Sequence, residues 1–250
     1  MLKLILISTV FILSFIKSSF SQDFNEEYGN PKLVFIETNP WLMVIGSDVP
    51  FFALYESGHI IYRTTKDGSH TYYEVKYNDE EVEDLIRSLN ISDDLYNQPD
   101  YIDASQATDQ PSNILVLNLD TIKQIVLYGS LSHKKSEARK EAPKCFVTLF
   151  DQLKSFNDES AKKWLPEKIE VLLTGYSHSP EKPKKWPKDW PNLESSNSVQ
   201  RNENLYSIYL PSKYFDDFIE LISSLELKQA IEVNGKMFSV AYRFPFPNVR

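Results

Sequence analysis

The chain contains little of the material from which metal, redox and disulfide-stabilised proteins are built. It has one cysteine, Cys145, and four histidines in 250 residues. A single cysteine excludes an intramolecular disulfide, so the fold must be stabilised by packing. No two histidines have the i, i+4 spacing of a helical metal pair, and none is adjacent to the cysteine. The sequence therefore predicts no metal or redox cofactor.

Glycine and positive charge are also scarce. The chain has seven glycines and no Gly-x-Ser-x-Gly, phosphate-loop or dinucleotide-binding motif, so it has little backbone that could cradle a phosphate. Lysine and arginine number 27 against 35 aspartates and glutamates, for a formal net charge of −8. Affinity for nucleic acids and anionic membranes comes largely from Lys and Arg. We therefore expect neither as a partner.

Only one apolar run in the chain resembles a targeting segment. Lys3 precedes the apolar residues 4–16, and the small residues Ser19 and Ser21 follow, which is the pattern of a secretory signal peptide cleaved near Ser21. No second run is long enough to span a bilayer, and no cysteine lies near the cleavage point, as a lipid anchor requires. The sequence predicts a secreted or periplasmic protein without a membrane anchor.

The remaining pattern predicts an α+β fold, with mixed or antiparallel sheets and about three main helices. Residues 50–63 combine two apolar runs with a Glu-Ser-Gly turn, which indicates a hairpin buried inside a sheet or under a helix. Asn234 and Gly235 indicate a second hairpin with a two-residue turn. Asn78 and Glu81 have the spacing of a capping box at the start of a helix.

Two further helices are predicted over residues 141–156 and 213–225, the first with Cys145 on its apolar face. Residues 91–111 and 177–204 are polar or rich in proline, and we expect them to lack regular structure. The acids of the first segment lack the spacing of a calcium loop, so a solvated loop is preferred to a cation site. The other predicted strands are residues 33–37, 41–46, 72–77, 113–119, 123–129, 168–176 and 205–210.

The helices that begin after Asn78 and at Lys213 share the pattern Leu-Ile-x-Ser-Leu after an acidic start. In each case a strand precedes the helix and a hairpin follows. This favours two related strand-helix-hairpin units, residues 32–157 and 166–250, after a flexible N-terminus of residues 22–31. The two units either form separate domains or pack as one compact domain.

Several short motifs are spread over most of the mature chain. They are Phe-Ala-Leu-Tyr-Glu-x-Gly at 52–58, Ile-Ile-Tyr at 60–62, Trp-Pro at 186–187 or 190–191, Asn-Gly-Lys-x-Phe-x-Val at 234–240 and Arg-Phe-Pro-Phe-Pro at 243–247. With these motifs the chain resembles a group of uncharacterised secreted proteins and lipoproteins of bacteria. The resemblance implies a fold and export, and it implies no activity.

Three residues are the candidate binding residues. Trp186 and Trp190 lie in the proline-rich Trp-Pro-Lys-Asp-Trp-Pro segment, which can present indole faces to a glycan or a peptide. The alternative is that both rings fill the gap between the two units. His59 follows Gly58 in the central turn and is expected to face solvent, where it either binds a partner or is ordinary polar surface.

Two classes of function remain open. The absence of catalytic motifs favours a non-catalytic binding or structural protein. The alternative is a hydrolase whose acid and base come from distant carboxylates or from His59. A pocket with two or more convergent titratable side chains would support the hydrolase, whereas a shallow surface around exposed tryptophans would support binding.

Overall fold

The structure is a computed structural model that describes residues 24–38, 49–66 and 69–249. The predicted signal peptide, residues 1–21, and the predicted strand 41–46 lie outside these residues. The described part of the chain confirms the α+β class, with two mixed sheets and five short α-helices. Three helices, of 10, 11 and 9 residues, are the main ones.

The first sheet has eight strands in the order β5-β7-β6-β1-β2-β3-β4-β8. They are β1 (Pro31–Thr38), β2 (Pro50–Tyr55), β3 (His59–Lys66), β4 (Ser69–Lys76), β5 (Tyr101–Asp103), β6 (Ser112–Asn118), β7 (Ile122–Tyr128) and β8 (Lys162–Lys163). The helices of this part are α1 (Asp79–Ser88), α2 (Asp93–Tyr96), α3 (Glu137–Glu141) and α4 (Lys144–Lys154).

The second sheet has six strands in the order β10-β13-β14-β9-β12-β11. They are β9 (Lys168–Gly175), β10 (Lys184–Lys185), β11 (Ser198–Asn202), β12 (Leu205–Pro211), β13 (Ile231–Val233) and β14 (Lys236–Arg243). A 3₁₀ turn, Ser212–Tyr214, leads into α5 (Phe215–Ser223).

Short sequence motifs account for the start of α1 and for the two hairpin turns. The Asn78 side chain accepts from the Glu81 amide at 3.0 Å, and the Glu81 carboxylate accepts from the Asn78 amide at 2.8 Å, so the capping box is formed. Asn234 and Gly235 have φ values of 49° and 76°, as the turn of a tight hairpin requires. In the central turn Gly58 has φ 81°.

The predicted helix 141–156 is interrupted at its start. Its helical part is α4, whereas Glu141 ends α3 and both Ala142 and Pro143 are extended, with ψ values of 146° and 134°. A residue that precedes proline is driven out of the helical region, which explains the break. Cys145 on α4 is half-buried against the first core.

The two segments predicted to be irregular contain short regular elements. Residues 91–111 contain α2 and β5, and residues 177–204 contain β10 and β11. β5 and β10 pair in parallel with β7 and β13, and β11 pairs with β12. These strands of two to five residues exist because a sheet edge is available to them, which no local pattern indicates.

The two sheets differ in how their hairpins join them. The hairpin β6–β7 joins the first sheet through its first strand, which pairs with β1, whereas the hairpin β13–β14 joins the second sheet through its second strand, which pairs with β9. The chain passes from one sheet to the other between β8 and β9. The hypothesis of two related units therefore rests on the sequence pattern and not on a shared strand order.

Helices cover one face of the first sheet. Val82 of α1 and the rings of Phe146 and Phe150 of α4 pack with Phe35 and Phe52 in one apolar core. The ring centroids of Phe35 and Phe146 are 5.6 Å apart. This packing, together with that on the opposite face, explains why all six residues of β2 are buried, as predicted for the central hairpin.

The opposite, outer face of the first sheet is covered by chain from both ends of the molecule. Tyr28, Trp164 and Phe246 pack there against a core that includes Val34 and Tyr55. The ring centroids of Trp164 and Phe246 are 5.1 Å apart. The C-terminal segment thus continues from the second sheet and buries the outer face of the first.

The N-terminal residues 24–30, part of the N-terminus predicted to be flexible, form hydrogen bonds with this segment. The Asn248 side chain accepts from the Asn25 amide at 2.7 Å and donates to the carbonyls of Asn25 and Gly29 at 2.8 and 2.7 Å. Tyr28 is only 9% exposed. The polar composition of the segment concealed this contact, because its partner lies more than 200 positions away.

A second core lies on one face of the second sheet. Phe218 of α5, Trp186 and Trp190 pack there with Ile169 and Val171 of β9. Within the described ranges, no helix combines the length and apolarity needed to cross a membrane.

Candidate functional site

A cleft of about 490 Å³ lies between the outer face of the first sheet and the end of the second sheet. Its volume is within the range of about 300–1,000 Å³ that is usual for small-molecule sites. Residues from both parts of the chain line it: Val49, Arg63, His70, Thr71, Tyr72, Lys163, Trp164, Leu165, Phe215, Asp216, Tyr242, Arg243 and Phe244.

Strand register brings together the polar residues of the first sheet. Arg63 of β3 is opposite Tyr72 of β4, and Thr65 is opposite His70. Because side chains alternate along a strand and cross-strand partners share a face, these four residues lie on one face of the sheet. His70 Nδ1 and Thr65 Oγ1 are 2.9 Å apart, within hydrogen-bonding distance.

Aromatic rings form an apolar wall that joins the two sheets. The Phe244 ring centroid lies 5.4 Å from that of Tyr72, 6.3 Å from Trp164, 5.3 Å from Phe215 and 5.8 Å from Tyr242. These distances are typical of interacting aromatic pairs. Phe244 therefore connects Tyr72 of β4 and Trp164, which follows β8, with Phe215 of α5 and Tyr242 of β14.

Positive charge exceeds negative charge among the lining residues. Arg63 and Lys163 make no ion pair with any residue that the structure describes, and Asp216 is the one carboxylate in the described lining. Burial, followed by the charges of Arg63 and Lys154, lowers the pKa of His70 below its ordinary value. The charge of Glu37 acts in the opposite direction, and the imidazole is mainly neutral at pH 7.

Behind the cleft, a buried carboxylate holds the third cation, Arg243. Glu170 Oε2 accepts from Arg243 Nε at 2.6 Å. Glu170 Oε1 accepts from Ser207 Oγ at 2.6 Å and from Arg201 Nη2 at 3.0 Å. The Glu170 side chain is 2% exposed, so these donors replace its hydration.

Sequence reasoning missed both this network and the cleft. The one signal for the network was a glutamate inside the apolar run of residues 169–173, which predicts a partnered buried charge. No sequence signal connects Arg63 with Arg243, because strands of different sheets bring them to the same cleft.

Trp186 and Trp190 are core residues of the second sheet. Each is 6% exposed, and their ring centroids are 5.1 Å apart. Trp186 Nε1 donates to the Pro191 carbonyl at 2.8 Å, and the Trp190 ring lies 5.6 Å from that of Tyr214. The indoles fill the space under α5 and not a gap between the two sheets. They leave little surface for a glycan or a peptide.

The prediction that His59 faces solvent is wrong, since it is only 7% exposed. The Tyr28 ring covers it, with centroids 4.7 Å apart. Ser57 Oγ donates to the Tyr28 carbonyl at 2.8 Å and lies 2.8 Å from His59 Nδ1. Because the hydroxyl proton is directed to the carbonyl, we assign the proton of this second bond to Nδ1. The pair therefore ties the N-terminal segment to the turn and is not arranged as a nucleophile and its base.

Metal ligands do not cluster in the part of the chain that the structure describes. No group of three or more His, Cys, Asp or Glu side chains there could hold a metal ion. Within the segment predicted to be a solvated acidic loop, Asp93 and Asp94 lie in the first turn of α2, where carboxylates favour the helix N-terminus.

No family model, curated protein or solved structure matches this chain. The resemblance to exported bacterial proteins stays a prediction, and the function has to be argued from the residues of the cleft. Those residues are the only group described above that joins titratable side chains, rings and a volume suited to a ligand.

Proposed function

We propose that the protein is an exported, non-catalytic binding protein and that the cleft between the two sheets holds a small ligand. The supporting observation is that side chains from both sheets converge on one volume of about 490 Å³. The lining combines aromatic and aliphatic residues with polar and charged ones, and polar groups in a concave site can orient a ligand. The predicted signal peptide supports export to the periplasm or the medium.

A hydrolase that uses the same cleft is the second candidate. It is favoured by His70, whose lowered pKa leaves a neutral imidazole at pH 7 and whose Nδ1 is fixed beside Thr65. The lining offers this histidine one carboxylate, Asp216, and no serine or cysteine among the described residues. The lining therefore lacks the second carboxylate that two-carboxylate hydrolysis needs, and it lacks the nucleophile of a Ser-His or Cys-His pair. Titratable side chains do converge on the cleft, which is the condition given above for a hydrolase, but none of these catalytic sets is complete, and for this reason binding is preferred.

Binding at the cleft is tested with the uncharged aromatic probe N-phenylnaphthylamine (NPN). In a titration of ¹⁵N-labelled protein, the indole N–H signal of Trp164, which lines the cleft, should shift saturably. The signal of Trp186 should not move, because this ring is buried in the second core. Trp164→Phe and Trp186→Phe assign the two signals. Absence of any saturable shift would refute the proposed site and leave a structural role.

Hydrolysis is tested with an activated ester, p-nitrophenyl butyrate. The proposal expects no turnover above that of His70→Gln, while NPN binds both proteins. Turnover that His70→Gln abolishes, with NPN binding retained, would show that the cleft is catalytic and would overturn the non-catalytic part of the proposal.

A further inference from the structure

We propose that the ligand of the cleft is a short peptide in extended conformation, which adds as a strand to an uncovered edge of the second sheet. This rests on the proposed function and specifies its ligand class. The edge consists of residues 239–243 of β14, on the side away from β9, and is called the open edge below. It ends at Tyr242 and Arg243, which line the cleft.

Strand pairing leaves the open edge without a neighbour. On one side, β14 pairs with β9 from Phe238 to Arg243. On the other side it pairs with β13, but only from Lys236 to Phe238. In the described part of the chain, no strand pairs with residues 239–243 on that second side.

The chain that precedes β13 turns away from β14 and does not cover the edge. Gln229 Nε2 donates to the Lys182 carbonyl at 2.7 Å, and the Ala230 amide donates to Ser179 Oγ at 3.0 Å. Both contacts lead to the segment before β10, which lies on the far side of β13 from β14. The position next to residues 239–243 is therefore left to another chain.

Backbone hydrogen bonds show which groups the open edge presents. The Tyr176 amide donates to the Met237 carbonyl at 2.9 Å, so Met237 directs its backbone groups to the β9 side. These groups alternate in direction along an antiparallel strand, and Val240 and Tyr242 therefore direct theirs away from β9. Neither residue forms a backbone hydrogen bond on that side with any residue that the structure describes. Two donors and two acceptors are thus available at the spacing of a strand, and an extended peptide carries the matching groups at the same spacing.

The other edges of the two sheets are protected in the ways that natural sheets use. Edge strands are usually short, charged or bulged. The terminal strands β5, β8 and β10 have three, two and two residues, and β11 carries Arg201 and a register shift. The open edge has no such protection from Ser239 to Tyr242, where the residues are uncharged and the register with β9 is regular.

A second strand edge borders the cleft, that of β4, but it offers less. The Trp164 amide already donates to the Tyr72 carbonyl at 2.9 Å, and β8 pairs with β4 at the two residues beyond. The open edge of β14 presents two residues with both backbone groups free of a strand partner. It is therefore the better site for a peptide.

The side chains along the open edge indicate which peptide would bind. A residue directly opposite Tyr242 or Val240 lies on the same face as these side chains. The Tyr242 ring centroid is 5.8 Å from that of Phe215 and 5.5 Å from that of Phe218, and Val240 packs against the second core. This surface favours a peptide with β-branched or aromatic residues at alternate positions.

The ends of the open edge favour a single chain over a second copy of the protein. At one end β13 begins, opposite Phe238. At the other end the Phe244 ring lies 5.4 Å from the Tyr72 ring of the first sheet. A short peptide fits between these limits, whereas the edge of a second folded sheet would have to bring its neighbouring strands past them.

Amide hydrogen exchange of the free protein tests the open edge directly. The amides of Val240 and Tyr242 should exchange at least about 100-fold faster than those of Ser239 and Ala241, which face β9. Equal protection of all four amides would show that the edge is covered and would overturn the inference. Protection of Val240 and Tyr242 that rises with protein concentration would assign the edge to a second copy and would also overturn it.

Peptide binding is tested with the capped peptide acetyl-Thr-Val-Thr-Val-Thr-amide. It should shift the amide signals of Val240 and Tyr242 and the indole signal of Trp164 saturably, with one Kd. Methylation of both valine nitrogens, which face the edge when the valines lie on the Tyr242 face, should weaken binding roughly tenfold or more, because two hydrogen bonds are lost. Methylation of the central threonine nitrogen, which faces away, should change the Kd by less than about twofold.

Matched variants locate the bound strand. Val240→Pro removes one donor of the open edge, at a position where proline is tolerated because the N–H faces outward, and should weaken peptide binding about fivefold. Gln200→Pro is the control. The Tyr209 amide donates to the Asn197 carbonyl at 2.8 Å, so by alternation the N–H of Gln200 also faces outward from its sheet, and peptide binding should not change. If Val240→Pro does not fold, the methylated peptides still decide the question.

The outcomes separate this inference from the proposed function. If NPN shifts the Trp164 signal and the peptide shifts neither this signal nor those of Val240 and Tyr242, the binding site stands and the peptide inference is wrong. If the peptide shifts Val240 and Tyr242 but not Trp164, it is not the ligand of the cleft. If neither probe shifts Trp164, the binding site itself is refuted. Loss of binding on methylation of the valines alone supports the inference, and equal binding of both methylated peptides overturns it.

Discussion

Glu170 lies in β9 with its side chain 2% exposed, and donors from Arg201, Ser207 and Arg243 converge on its two oxygens. A buried charge is tolerated when its lost hydration is replaced in this way. The network also ties the edge strand β11 to β9 and β14 and holds Arg243 at the cleft.

Glu170→Ala should lower the free energy of unfolding by about 3 kcal/mol, because two arginines lose their common partner. The loss stays moderate because both guanidinium groups reach solvent, with side-chain exposures of 40% and 23%. Glu203→Ala, at an exposed turn position, should change it by less than about 0.5 kcal/mol. Urea unfolding measures both values. Equal losses of unfolding free energy in the two variants would show that the Glu170 network does not stabilise the fold.

His59 should make stability depend on pH. Burial lowers the pKa of His59 in the folded protein, so the unfolded chain binds more protons between the folded pKa and the ordinary value of about 6.5. The contribution of neutral His59 to the free energy of unfolding is therefore fully present above about pH 6.5, and it decreases as the pH falls toward the pKa of the folded state. Thermal midpoints between about pH 7.5 and 5.5 should fall less in His59→Gln than in wild type. His178→Gln, at an exposed position, should keep the wild-type slope; if His59→Gln keeps it too, another group is responsible.

At the scale of elements, the two tight hairpin turns allow a controlled comparison. Gly58 and Gly235 have nearly equal φ values, 81° and 76°. A Cβ on Gly58 would lie 2.1 Å from the Tyr77 carbonyl oxygen, whereas a Cβ on Gly235 meets nothing within 4 Å. Both substitutions to alanine introduce the same backbone strain, of about 1 kcal/mol, and only the first adds a clash.

Gly58→Ala should therefore lower the free energy of unfolding by about 2 kcal/mol more than Gly235→Ala. Chemical denaturation of both variants measures the difference. Similar values would mean that the β3–β4 region moves away from the added methyl group at little cost, and that the close approach at Tyr77 is not a constraint on the turn.

The tryptophan segment offers a test of packing against binding. Trp190 is 6% exposed and contacts Trp186, Tyr214 and Phe218. Trp190→Ala should lower the free energy of unfolding by about 3–5 kcal/mol, as for other buried large rings. Leu227→Ala, at a position 86% exposed, should have almost no effect. A thermal midpoint that barely changes in Trp190→Ala would contradict this packing role and would support the alternative that the indole is a binding surface.

At the scale of the molecule, the segment after β14 joins the two sheets. Phe246 lies 5.6 Å from the Tyr72 ring, and Asn248 bonds the backbone of residues 25 and 29. Deletion of residues 244–250 should expose the outer face of the first sheet and separate the unfolding of the two parts. Urea unfolding followed by circular dichroism should show one transition for the full chain and two for the truncated chain. A single unchanged transition would show that other contacts couple the sheets.

Elements with a local cause can be predicted from the sequence. The capping box of Asn78 and Glu81, the turn at Asn234 and Gly235 and the central hairpin each depend on residues a few positions apart. Their geometry follows from backbone sterics and short hydrogen bonds, so the α+β class and the three main helices could be predicted. The break at Pro143 also has a local cause, the proline itself, although the helical periodicity of the apolar residues continues across it.

The burial of individual side chains depends instead on contacts between segments that are distant in the sequence. Whether His59 faces water depends on Tyr28, the short edge strands depend on their sheet partners, and the cleft depends on the meeting of Tyr72 with Phe244, which are 172 positions apart in the chain. Such contacts depend on the sum of many small packing energies over the whole chain. None of these energies produces a periodic pattern in the sequence. The candidate site belongs to this class, because its two halves come from different sheets.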